Sequence, residues 1–271
     1  MTVLETQDAA EPRMLTITGA TTTVIDETTE IDNGTVTIDG GRVVETGSVS
    51  GVADDETLDA TDCIVTPGLV NAHHHLLQSA FRTLPGTRGV PMAEWLPTMA
   101  AAYGTAGIDA SLLAASAAVG IAEGLLSGVT TVADHQLNWP GPEASIADRT
   151  AIAQAVADAA ATLGGRLVFV RGSARDDPAQ AAESAEAIVG ALVPGAPGGV
   201  RDDGMLQIAV GPAGVHSDSR ETFELLGEVA ARHGLRRRTQ ANEQVDTAIA
   251  LERYGRRPST CSRSGAGSHP T

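Results

Sequence analysis

Residues 65–82 read VTPGLVNAHHHLLQSAFR. Pro67 and Gly68 break the chain, and the apolar text after them reads as a buried strand that ends in His73, His74 and His75. Along an extended strand the side chains at i and i+2 point to the same side. His73 and His75 therefore share one face, and His74 points the other way, into the wall of the sheet. Two imidazoles on one face can hold one divalent cation. Imidazoles buried without a partner are costly, so three in a row on an apolar strand point to a metal centre.

The text on either side of this stretch differs in rhythm. Residues 14–65 contain MLTITGATTTVID, GTVTIDGGRVVETG and TLDATDCIVTPG, rich in Thr and Val and broken by the turn signals DNG and DGG. They predict a small antiparallel β-sandwich segment. From residue 66 on, strands alternate with helices. After an irregular segment from Leu76 to Gly107 come a helix ending at Gly128, the strand VTTVADH and the helix IADRTAIAQAVADAAATLGG. RLVFVRG, DPAQAAESAEAIVGALV, MLQIAVGP, SRETFELLGEVAARHG, LRRRTQA and EQVDTAIALERYG continue the alternation. Such alternation predicts βα units around a parallel sheet. The candidate polar residues fall at the C-terminal ends of strands, where a (β/α)₈ barrel carries its chemistry. Five such strands follow residue 66, so the expected fold is α/β, a partial TIM-like barrel of about five βα units.

Composition narrows the function. The chain has 271 residues, 34 acidic and 18 basic, for a net charge of −16. All the basic residues are Arg. This balance argues against a nucleic-acid or anionic-membrane partner. Two cysteines, Cys63 and Cys261, make no disulfide framework, which suits a reducing cytoplasm. The acidic residues 1–13 read as a disordered leader and not as a signal peptide.

The quoted stretch extended to VTPGLVNAHHHLLQSAFRTLP, together with IDGGRVVETG, LLSGVTTVADH and ANEQVDTAIALERYGRRP, resembles the amidohydrolase superfamily. The branch it resembles holds the guanine and 8-oxoguanine deaminases and the triazine hydrolases, and the likeness runs over residues 14–258. It implies one divalent metal ion, zinc or iron, that activates water for hydrolytic deamination or dechlorination of a nitrogen heterocycle. It implies His73 and His75 as metal ligands, Glu243 as the group that protonates the ring nitrogen, and Gln78 as a substrate contact. Arg82 and Trp95 in the irregular segment, His135 at a strand end and His216 after the fourth barrel strand complete the expected substrate-binding set. The third ligand of the family is a histidine three residues before the glutamate. Here that position is Gln240, and an amide is a poor zinc ligand.

After Pro258 the text becomes STCSRSGAGSHPT, without periodicity. Back-translated with GC-rich codons and shifted by one inserted base, it reads as a continuing amphipathic helix. The expectation is a one-base deletion, an aberrant tail over 259–271 and a barrel domain over 66–258 that lacks its last strands. Such a chain would be weakly active or inactive, and would self-associate through its open barrel edge. The competing expectation is a non-catalytic binding or regulatory remnant of the fold.

Overall fold

The computed structural model describes residues 14–48 and 56–259. The expected leader at 1–13, and the expected tail from residue 260 on, lie outside the described residues. The chain forms two compact units, divided between Gly68 and Leu69.

The first unit is all β. One sheet has the order β5-β4-β1-β6, built from β1 (Leu15–Thr18), β4 (Thr35–Asp39), β5 (Arg42–Gly47) and β6 (Glu56–Asp59). The other has the order β3-β2-β7, from β2 (Thr22–Val24), β3 (Glu30–Asp32) and β7 (Ile64–Val65). The hairpins are antiparallel, whereas β1–β6 and β2–β7 pair in parallel. The DNG turn places Asn33 at φ 52°, and the DGG turn places Gly40 and Gly41 at φ 54° and 76°. Positive φ at both central residues suits the tight right-twisted hairpin between β4 and β5.

The second unit carries a five-stranded sheet of order β12-β11-β10-β9-β8. Its strands are β8 (Leu69–His74), β9 (Val129–Gln136), β10 (Arg166–Ser173), β11 (Leu206–Pro212) and β12 (Arg236–Arg237), and every pairing is parallel. The helices that connect them include α2 (Ala110–Leu126), α3 (Ile146–Leu163), α4 (Pro178–Leu192) and α5 (Arg220–His233); α6 (Gln244–Tyr254) follows the last strand. This is the expected curled part of a barrel. Helices α2, α3, α4 and α5 each start where the sequence supplies a cap. Asp109, Ser145, Asp177 and Ser219 each accept a backbone N–H of the first turn, and Ser145 with Asp148 forms a capping box. Each such cap contributes about 1 kcal/mol. The core lies between the helices and the sheet, around Leu113, Ile121, Ile152, Val156, Phe169, Ile188 and Ile208.

Two expectations change. The segment Leu76–Gly107 is not irregular: a 3₁₀ turn covers Leu76–Phe81, and α1 spans Met92–Ala106. Pro85, Pro91 and Pro97 hide that helix in the sequence, although Pro91 is its N-cap and only Pro97 lies inside it. Strand β8 is also not buried. It is the edge of the sheet, with Leu69 58% and Val70 66% exposed. Burial needs a neighbour on both sides, which a local apolar pattern does not report.

Candidate active site

The C-terminal ends of β8 and β9 and the segment after β12 bring three imidazoles and one amide together. His73 near the end of β8 and His75 just after it face each other, their rings perpendicular with centroids 4.9 Å apart. His74 points the other way, against Gly120 of α2. His135, at the end of β9, stacks near-parallel to His75 at 6.2 Å.

Hydrogen bonds set the ring tautomers. Nδ1 of His75 donates to the carbonyl of His135 at 2.7 Å, leaving its Nε2 lone pair free. Nε2 of His135 donates to the carbonyl of Gly211 at 2.9 Å, leaving its Nδ1 lone pair free. Burial pushes both imidazoles down to about 4, against the opposing effect of these carbonyls. Both rings are therefore neutral at pH 7, the form that can ligate a cation. The side-chain amide nitrogen of Gln240 lies 3.4 Å from each free lone pair.

Beneath the cluster Asp134 is fully buried. One carboxyl oxygen accepts the N–H of Leu76 at 2.7 Å, the other has no partner, and burial lifts the group to about 7. A carboxyl so placed stabilises the turn that follows His75.

Two glycines make the cluster possible, and sequence reasoning missed both. A Cβ at Gly172 would stand 2.5 Å from Cδ2 of His135, so the ring needs a glycine on the next strand. A Cβ at Gly211 would overlap the carbonyl oxygen of Arg238, so the segment leading to Gln240 can pass only over a glycine. Arg238 reaches across to the carbonyl of Ala72 on the edge strand at 2.5 Å. Asp246, also missed, is a buried carboxylate that accepts the N–H of Asn242 at 2.9 Å and lies 3.3 Å from Nδ1 of His216. It ties the loop after β11 to the loop that carries Gln240 and Glu243. Its signal was present: an acidic residue in the first turn of a helix.

The remaining expected residues are distributed as follows. Glu243 is the N-cap of α6 without a side-chain cap bond. Gln78 lies in the 3₁₀ turn after His75, with its N–H bonded to the His75 carbonyl at 2.9 Å. Arg82 pairs with Glu123 of α2. Trp95 is on α1 and packs against the hydrophobic core.

His73 and His75 offer imidazole nitrogens, but among the described residues no three His, Cys, Asp or Glu side chains group closely enough to hold an ion. These residues fit a weakly held divalent cation, one that must displace the Gln240 amide from the two lone pairs it faces.

A model of the amidohydrolase family matches residues 64–266. An 8-oxoguanine deaminase from Pseudomonas aeruginosa is 34% identical over 212 residues, covering 73% of this chain and 45% of that protein. An isoxanthopterin deaminase from an unknown prokaryotic organism is 33% identical over 129 residues, 47% of this chain and 25% of that protein. The chain thus spans about half, or less, of the length of these relatives. Among solved structures, an atrazine chlorohydrolase from Arthrobacter aurescens in complex with zinc superposes with a TM-score of 0.81 at 27% identity, covering 93% of this chain and 58% of that one. A guanine deaminase from C. acetobutylicum shares the fold, with a TM-score of 0.71 at 14% identity over 94% of this chain and 59% of that one. Among the described residues no helix is long and apolar enough to cross a membrane.

Proposed function

This chain belongs to the amidohydrolase family, and from that membership we propose that it carries part of a site for hydrolytic deamination, or dechlorination, of a nitrogen heterocycle such as 8-oxoguanine or guanine. The observation that carries the proposal is the pinned tautomer of His75. Its Nδ1–H is held by the His135 carbonyl, so Nε2 faces the space shared with His73 and Gln240. Such an outer hydrogen bond orients a ligating imidazole and raises its basicity.

In this proposal His73 and His75 hold the cation, zinc or iron, and Gln240 occupies the third ligand position. When bound, the cation supplies Lewis-acid activation of water. Glu243 delivers a proton to the ring nitrogen of the heterocycle, while Gln78, His135 and His216 hydrogen-bond its polar edge. Asp246 holds His216 and the Asn242 backbone in register with Glu243. Arg82 and Trp95 are committed to Glu123 and to the core, and we assign them no step. With an amide in place of an imidazole, metal occupancy and turnover are low. The exposed edge strand β8 supports self-association of copies of this chain.

The test is metal content by mass spectrometry together with ammonia release from 8-oxoguanine and guanine and chloride release from a chlorotriazine. Substoichiometric metal and slow release on at least one substrate are expected. Absence of release even for Gln240→His supplied with zinc would refute the proposal.

A second reading is a non-catalytic binding module, and the amide network favours it. The Gln240 amide nitrogen, a hydrogen-bond donor, faces both free imidazole lone pairs. Heterocycle binding without turnover in both wild type and Gln240→His would establish that reading.

A further inference from the structure

The loops after β9 and β10 line an open cavity of about 740 Å³ with α1, α3 and α4, and none of His73, His75 and His135 lines it. We propose that this cavity binds a monoanionic carboxylate on a small, partly apolar molecule, with Arg149 as its charge partner.

Arg149 lines the cavity from the first turn of α3 and is 3% exposed. Its Nη2 donates to Oε1 of Gln180 at 3.3 Å, and its buried Nε has no partner. Among the described residues no carboxylate pairs with it. The nearby acids are committed. Asp148 belongs to the capping box with Ser145, and Asp177 caps α4 through the Gln180 N–H. Asp176 pairs at 2.8 Å with Arg171, a fully buried guanidinium that also bonds Ser184 and the Gly172 carbonyl and stacks 4.6 Å over Trp139. Of the two buried guanidiniums, Arg171 is paired with a carboxylate and Arg149 is not, and a buried cation without a counter-charge is strongly disfavoured. The amino-terminal turns of α3 and α4 both reach this cavity, and their dipoles also favour an anion.

The surroundings select the ligand. Asp176 and Asp177 on the cavity wall offset the exposed Arg175 and oppose a second negative charge beside Arg149, so a monoanion is preferred to phosphate. The planar guanidinium of Arg149 beside the Gln180 amide matches a planar carboxylate. Tyr103, Ile108, Leu137 and Trp139 supply apolar wall for the rest of the molecule.

Calorimetric titration of the full chain with benzoate, benzamide and inorganic phosphate tests the proposal. Benzoate should bind at least ten-fold more tightly than the other two. Arg149→Gln should weaken benzoate at least ten-fold. Gly104→Phe should do the same by filling the cavity from α1, at an exposed position where a Cβ meets nothing within 4 Å. His75→Ala, which disables the histidine cluster, should leave benzoate binding unchanged, so failure at one site is separable from failure at the other. The proposal is overturned by no benzoate binding in wild type, by equal binding of benzamide, by tighter binding of phosphate, or by unchanged binding in Gly104→Phe. The last outcome decides even if Arg149→Gln does not fold.

Discussion

The amide nitrogen of Gln240 lies 3.4 Å from Nε2 of His75, a residue 165 positions earlier in the chain, and equally far from Nδ1 of His135. A neutral donor therefore stands between two neutral acceptors where a cation would otherwise be drawn. Replacing it by imidazole adds a ligand and removes the competing donor. Gln240→His should tighten zinc by about 10–100-fold, measured by competition with a chromophoric chelator. Unchanged affinity would remove Gln240 from the ligand position.

The neighbouring glycines are constrained by contact. Gly172→Ala should displace the His135 ring, and Gly211→Ala should push Arg238 and β12 away from β11. Each should lose about 1–3 kcal/mol of stability, read from urea unfolding. Gly190→Ala on α4, where a Cβ meets nothing within 4 Å, is the control and should gain about 0.5–1 kcal/mol.

Alkaline pH probes Tyr103. Burial pushes its phenol up to about 12, with the Gln78 side chain acting in the opposite direction. Below pH 10 the phenol is neutral in the folded and unfolded chains alike. Between pH 10 and 12 the unfolded phenol ionises first, so the folded state holds the extra proton and stability falls as pH rises. The loss by pH 12 should be about 2 kcal/mol. The chain has no Lys and only two Tyr, so few other side chains titrate there. Thermal midpoints from pH 8 to 12 should fall less steeply in Tyr103→Phe than in wild type; parallel curves would contradict the assignment.

Arg171, fully buried on β10, should be highly sensitive to substitution. Arg171→Ala leaves Asp176 and Ser184 without their partner and removes the guanidinium from Trp139. A loss of about 3–5 kcal/mol is expected. Replacing both partners, as Arg171→Met with Asp176→Ala, should recover much of it, because no uncompensated charge remains. A double-mutant cycle by calorimetry measures the difference.

The sequence by itself determined the parallel arrangement, because apolar periodicity, turn glycines and helix caps are local signals. It likewise placed His73 and His75 on one face, since the period of an extended strand is two. Strong Pro signals misreported α1, because Pro97 marks a break by its chemistry although the helix around it persists. Only the tertiary structure decided that His135 joins His75, that Gly172 and Gly211 make room for the ring and for the segment carrying Gln240, and that β8 is an exposed edge. Those facts depend on which strands lie next to each other and how closely their backbones approach. A pattern of side chains along one strand carries no record of either.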